Sequence, residues 1–162
     1  HYKQISDIEG LRKLIFGQGI GWGDVKLYRA NGIKVESSKY INLFKMVANN
    51  RFDLYPRGIA EITGEVEKFG HIENLHVEEN IAIYYPWPYY FFVSKKYPMF
   101  AKDLENTLEE MIADGSFERH FEKYYVPSVK RANLTKRKII RLKNPLLTEK
   151  TPLHRKELWY KP

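Results

Sequence analysis

The sequence predicts an α/β fold with a mixed, largely parallel sheet and flanking helices. Three observations carry that prediction. Apolar runs of strand length alternate with segments whose apolar residues recur at three- and four-residue spacing. Turn and cap residues, Gly17 to Gly23, Asn31-Gly32, Asn49-Asn50 and Asp114-Gly115, fall between them. A chain of 162 residues with 43% hydrophobic content is also long enough to bury one or two small cores.

Taken in order, Leu11 to Phe16 reads as a first strand running into the glycine-rich loop Gly17-Gln18-Gly19-Ile20-Gly21-Trp22-Gly23. Asp24 is suited to cap a helix through Arg29 that stops at Asn31-Gly32. Ile33 to Glu36 is a second strand, and a helix around Asn42 to Ala48 turns Leu43, Met46 and Val47 inward before ending at Asn49-Asn50. Phe52 to Tyr55 is a third strand, and Gly58 to Lys68 a helix with Ile59, Ile62 and Val66 on one side. Strands separated by helices favour parallel pairing.

The aromatic run from Tyr84 to Phe92 follows, and Pro86 and Pro88 argue against its lying at the centre of a sheet. Phe91 to Val93 is a short apolar strand ended by Ser94-Lys95-Lys96. Pro98 suits the first turn of a helix, on which Phe100, Leu104, Leu108 and Met111 recur on one face. Asp114-Gly115 closes it, with Gly115 as a left-handed residue, and Ser116 can cap a second helix bearing Phe117, Phe121 and Tyr124.

Charge narrows the function classes. The net charge of +7 lies wholly beyond Val126, where eleven Lys or Arg stand against two acids; the preceding residues hold sixteen against eighteen. Ile139, Ile140, Leu142, Leu146, Leu147, Leu153, Leu158 and Trp159 intersperse those cations, which predicts an arm docked by its apolar residues with the charges solvated and no nucleic-acid partner, with binding of a polyanion or a membrane surface as the alternative. No cysteine is present, so disulfides and thiolate metal sites are excluded, and no apolar run approaches the ~20 residues that span a bilayer. His71 and His76 have no adjacent ligand pattern, and no nucleophile elbow, Walker loop or zinc-protease motif occurs, so neither metal, cofactor nor catalytic residues are expected. A dinucleotide enzyme is the main competitor, because Gly17 and Gly19 precede a helix and Glu36 ends the next strand. The third glycine of that fingerprint falls on Trp22, too large for close helix–strand packing.

The Ala113-Asp114-Gly115-Ser116-Phe117 break, the Glu122-Lys123-Tyr124 end and the Ser94-Lys95-Lys96 corner resemble the closing segment of type II periplasmic solute-binding proteins, the amino-acid-binding branch in particular. Asn49-Asn50-Arg51-Phe52-Asp53 is similar to the element of that family's second lobe where a helix hands over to the strand that reaches the cleft. The resemblance covers most of residues 8 to 125. It implies that residues 1–88 form the second lobe, that 89–125 cross the hinge and supply the C-terminal helices of the first lobe, and that 126–162 are a basic extended arm. It further implies that the opening part of the first lobe precedes His1. Leu158-Trp159-Tyr160-Lys161-Pro162 resembles a natural terminus.

What the family implies about function is a periplasmic or extracellular bacterial protein of an ABC-type transport system. It would bind a small polar or amino-acid-like solute between two lobes and be recognised when closed by a membrane permease or receptor. A sensing or regulatory domain of a signalling protein or enzyme is the alternative. A chain short of first-lobe strands is expected to form a homodimer or fold its helices back.

Ligands of open α/β sheets sit outside the carboxyl ends of the strands. Here those ends are the loops 17–24 and 55–61. In the first, Gly21 and Gly23 let backbone N–H groups approach a ligand, the helix at Asp24 points its positive end there, and a ligand carboxylate suits the place. Trp22 either stacks on the ligand or lids the core. In the second, Tyr55, Arg57, Gly58 and Glu61 are candidates, Arg57 as a carboxylate clamp or a surface cation, and Glu61 as a ligand for an amine or a partner for Arg57. The family's ammonium-binding aspartate falls near Gly58, beside Arg57, so α-amino-acid specificity does not follow from the resemblance. Trp87, Tyr89 and Tyr90 are the hinge aromatics, which either line the cleft or pack around the connection stiffened by Pro86 and Pro88.

Overall fold

The computed structural model describes residues 2–161; His1 and Pro162, on which the readings of the two chain ends rest, lie outside the described residues. It is an α/β structure with small parallel sheets. Helix α1 (Ile8–Arg12) is capped by the Asp7 carboxylate, which accepts from the Gly10 N–H. Strand β1 (Ile15–Gly19) follows, so the first strand starts four residues later than the apolar run suggested and takes in Gly17 and Gly19. Leu11 has the helical cap before it and is buried from α1. Helix α2 (Gly23–Ala30) leads through Gly32, at φ +80°, into β2 (Lys34–Ser38), which pairs with β1 in parallel, Phe16 opposite Val35.

Helix α3 (Tyr40–Ala48) packs against β1, and α4 (Ile59–Phe69) meets α3 through the stacked rings of Phe44 and Phe69. Between them the expected strand at 52–55 is reduced to one parallel bridge, Phe16 with Leu54. The reason is local: Asn50 at φ 56° delays the start, Pro56 ends the run, and the Asp53 carboxylate takes the Ile15 N–H that a ladder would use. Three backbone bonds still tie the segment to β1, from Asp53 N and Leu54 N to Ile15 O at 2.9 and 3.3 Å and from Gly17 N to Leu54 O at 2.8 Å. Gly17 lies under the Phe52 ring, where a Cβ would come within 2.1 Å of ring carbon.

Two strands were not anticipated. β3 (Ile81–Tyr84) pairs in parallel with β4 (Lys138–Arg141), Ile83 opposite Ile140. Ile81, Ile140 and Leu142 join Leu11, Phe16, Leu27, Tyr28 and Ile33 in one core. The basic arm is therefore docked by its apolar residues, as a strand rather than as extended chain alone. Asn31 clamps it: its side chain, 7% exposed, donates to Lys143 O at 2.7 Å and accepts from Lys143 N at 3.2 Å. Arg137 adds hydrogen bonds to the Glu78 and Ile81 carbonyls.

Helices α5 (Pro98–Ala113) and α6 (Ser116–Tyr124) occupy their expected places. Gly115 at φ 75°, not Ser116, is the residue before α6, while the Asp114 carboxylate accepts from Ser116 N at 2.7 Å. An unexpected α7 (Val126–Ala132) follows. No strand forms at 89–93, because no strand among the described residues lies beside it. Tyr89 and Phe92 are each 94% exposed, and α5 buries none of its side chains fully.

Candidate functional site

The carboxyl end of β1 and the end of the Leu54 segment lie side by side, which brings the 20–24 and 55–61 loops together. Gly21 stands at φ +81°, a turn conformation that favours glycine, and carries the chain back so that the Trp22 ring lies on Gly19. The Arg57 guanidinium sits 4.8 Å from the Trp22 ring centre, 5.2 Å from Tyr55 and 5.6 Å from Tyr40. The two loops thus meet at a cation held among three aromatic faces.

Carboxylates saturate much of that cation. Glu65 takes Arg57 Nε and Nη2 at 2.7–2.9 Å, and both side chains are nearly buried, 10% and 11% exposed. The Tyr40 hydroxyl also donates to Glu65, at 2.9 Å. Glu61, more open to solvent, reaches Arg57 Nη2 at 3.0 Å and accepts from the Gly58 N–H at 2.9 Å, closing the first turn of α4. Burial alone would lower the Arg57 pKa, but the hydrogen bonds to Glu65 and the surrounding negative charge leave it raised. Burial pushes the Tyr55 phenol up, and its hydroxyl has no hydrogen-bond partner among the described residues.

On the other side of the 20–24 loop, Gly23 lies under the edge of Trp87, where a Cβ would come within 2.7 Å of the indole. Asp24, in the first turn of α2, is partly buried and accepts from the Tyr85 hydroxyl at 3.2 Å. Tyr85 and Tyr28 share a hydroxyl contact of 3.1 Å, and Tyr85 packs edge-on to Trp87 at 6.0 Å. Burial raises the Asp24 pKa; the Tyr85 hydrogen bond and Arg57 oppose this, and Glu61 adds to it. Beneath the loop Gln18, 1% exposed, donates to Pro56 O at 3.5 Å while its Oε1 has no donor among the described residues.

The structure therefore assembles Gly21, Trp22, Gly23, Asp24, Tyr55, Arg57, Gly58, Glu61 and Trp87 at one end of the β1 sheet. Tyr89 continues from Trp87, within electrostatic range of Glu61 and Asp24. Tyr90 turns elsewhere, to a depression of about 210 Å³ shared with Trp87, Leu146 and Thr151. A larger open trough, about 480 Å³, runs along Ile15 and residues 32–36. It follows the flank of β2 and has no buried polar groups converging on it, so the loop end remains the better candidate.

Sequence reasoning missed Glu65, Tyr40, Tyr85 and Gln18. Glu65 had a signal, since it stands one helical turn beyond Glu61 on the same face of α4. Tyr85 had none that separated it from its aromatic neighbours. Comparison of the chain with protein-family models, with curated proteins and with solved structures finds no match in any of the three.

Proposed function

We propose that the chain is the solute-binding part of a type II periplasmic-binding-like protein, working outside the cytoplasm in an ABC-type transport system. The observation that supports this best is the meeting of the 20–24 and 55–61 loops at the carboxyl end of parallel-paired segments, where open α/β sheets bind ligands. The solute rests against the Trp22 and Trp87 rings beside Asp24, and Arg57 ties the two loops into one rigid wall. On this reading the exposed aromatic face from Tyr89 to Phe100 is covered by the complementary lobe. Closure about the 85–93 segment buries the solute, and a permease or receptor recognises the closed form.

The test is ligand-observed NMR with a panel of small amines, carboxylates, amino acids and sugars. At least one chemical class should show saturation transfer that Trp22→Ala abolishes in a variant whose circular dichroism is unchanged. A panel without a single Trp22-dependent binder would refute the reading.

A further inference from the structure

Acceptors, not donors, converge on this site. Three carboxylates, Asp24, Glu61 and Glu65, stand at this end of the fold with one guanidinium, Arg57, and Glu65 and Glu61 already occupy it. Asp24 is left with a neutral hydroxyl, Tyr85, as its hydrogen-bond partner, and no Lys or Arg among the described residues lies within ion-pair distance of it. A partly desolvated carboxylate without a counter-ion is costly, and a cation that binds it recovers part of that cost.

Gln18 supplies an independent sign. Side chains alternate along a strand, so Gln18 shares a face of β1 with Phe16, whose ring meets Tyr28 of α2 at 5.1 Å. One turn of α2 before Tyr28 is Asp24, so Gln18 looks toward the same end of the helix. Its amide nitrogen points to Pro56 O, which leaves the buried Oε1 as an acceptor lacking a donor. Around these acceptors stand ring systems that favour cations: Trp87 against Gly23, Tyr85 on Asp24, and Trp22 already carrying a guanidinium on its face.

We infer that the site takes a protonated amine, with Asp24 as its counter-ion and Trp87 and Tyr85 as its walls, and that Arg57 positions the loops instead of binding a ligand carboxylate. The inference rests on the solute-binding reading and reverses the charge that the glycine-rich loop by itself suggests. The helix end that would attract an anion already holds the Asp24 carboxylate.

Tryptamine, tryptophol and indole-3-acetate share one ring system and differ in the charge of the side group, so they make a direct test by NMR titration of the whole chain. Tryptamine should bind at least ten-fold more tightly than the other two. Asp24→Asn, which keeps the side-chain shape, should lose that preference. Glu118→Gln, which removes an exposed carboxylate of α6 outside the site, should change tryptamine affinity less than three-fold. If Asp24→Asn does not fold, the wild-type protein decides the matter, because amine affinity must then fall as pH is lowered through the Asp24 titration. Tighter binding of indole-3-acetate would overturn the cation assignment and leave the solute-binding reading standing. Binding of tryptamine unaffected by Asp24→Asn would overturn the role of Asp24. Failure of all three probes and of the wider panel would overturn both readings.

Discussion

Arg57→Ala should destabilise the chain by about 3 kcal/mol, a magnitude that follows from what the guanidinium leaves behind. Arg57 and Glu65 are 10% and 11% exposed, joined by two short bonds from Nε and one from Nη2. Removing one member of such a pair typically costs about 3–5 kcal/mol, because the remaining charge stays desolvated. Two features set the expected value at the lower end. The Tyr40 hydroxyl still donates to Glu65, and Glu61, 53% exposed, loses a contact that solvent largely replaces. Loss of the cation from the faces of Trp22, Tyr40 and Tyr55, about 1 kcal/mol, is part of that figure.

For a chain of this size that loss lowers the melting temperature by roughly 6–12 °C. Urea titration followed by far-ultraviolet circular dichroism measures it directly. The double change Arg57→Met with Glu65→Leu removes both charges and should recover most of the loss, since no buried carboxylate is then left alone. A loss below about 1 kcal/mol for Arg57→Ala, or a double variant no more stable than the single one, would refute the claim that this pair is a buried structural element.

Other outcomes follow from neighbouring features. Ile140→Ala, in the β4 strand of the basic arm and 4% exposed, should cost about 3 kcal/mol by urea titration, whereas a merely tethered arm would lose almost nothing. Gly17→Ala should cost about 1–3 kcal/mol, because the new methyl meets the buried Phe52 ring; an unchanged midpoint would contradict the packing of that ring. Asp24 binds its proton more readily in the folded state than its ordinary value of 3.8 allows, so its contribution to stability declines as pH rises through the window above that value and is level beyond it. Burial is the main cause, with Tyr85 and Arg57 opposing and Glu61 reinforcing it; the melting temperature of the wild type minus that of Asp24→Asn should fall between pH 3.5 and 6, and a difference independent of pH would contradict the Asp24 shift. Self-association through the exposed 89–92 segment predicts that Tyr89→Ser with Phe92→Ser lowers the mass seen by light scattering at high concentration, and a parent chain monomeric throughout that range would speak against it.

The sequence by itself determined the elements whose signals are local. Apolar spacing marked α3, α4, α5 and α6, and glycine or asparagine at turns marked the ends of α2, α3 and α5, with Gly32, Asn50 and Gly115 all at positive φ. The loop residues from Gly21 to Asp24 and from Tyr55 to Glu61 were legible as a site because they follow strand-forming runs in an α/β order. Pairing was decided only in three dimensions. Ile81 to Tyr84 and Lys138 to Arg141 lie far apart in sequence, and neither four-residue run announces its partner. The tertiary structure also decided how the charges are used. Spacing allowed Arg57 to meet Glu61, but it is burial beside Tyr40 and Trp22 that makes Glu65 its main partner and leaves Asp24 without a cation. A short-range pattern reports which residues can share a face, whereas desolvation and ion pairing depend on everything that the completed fold packs around them.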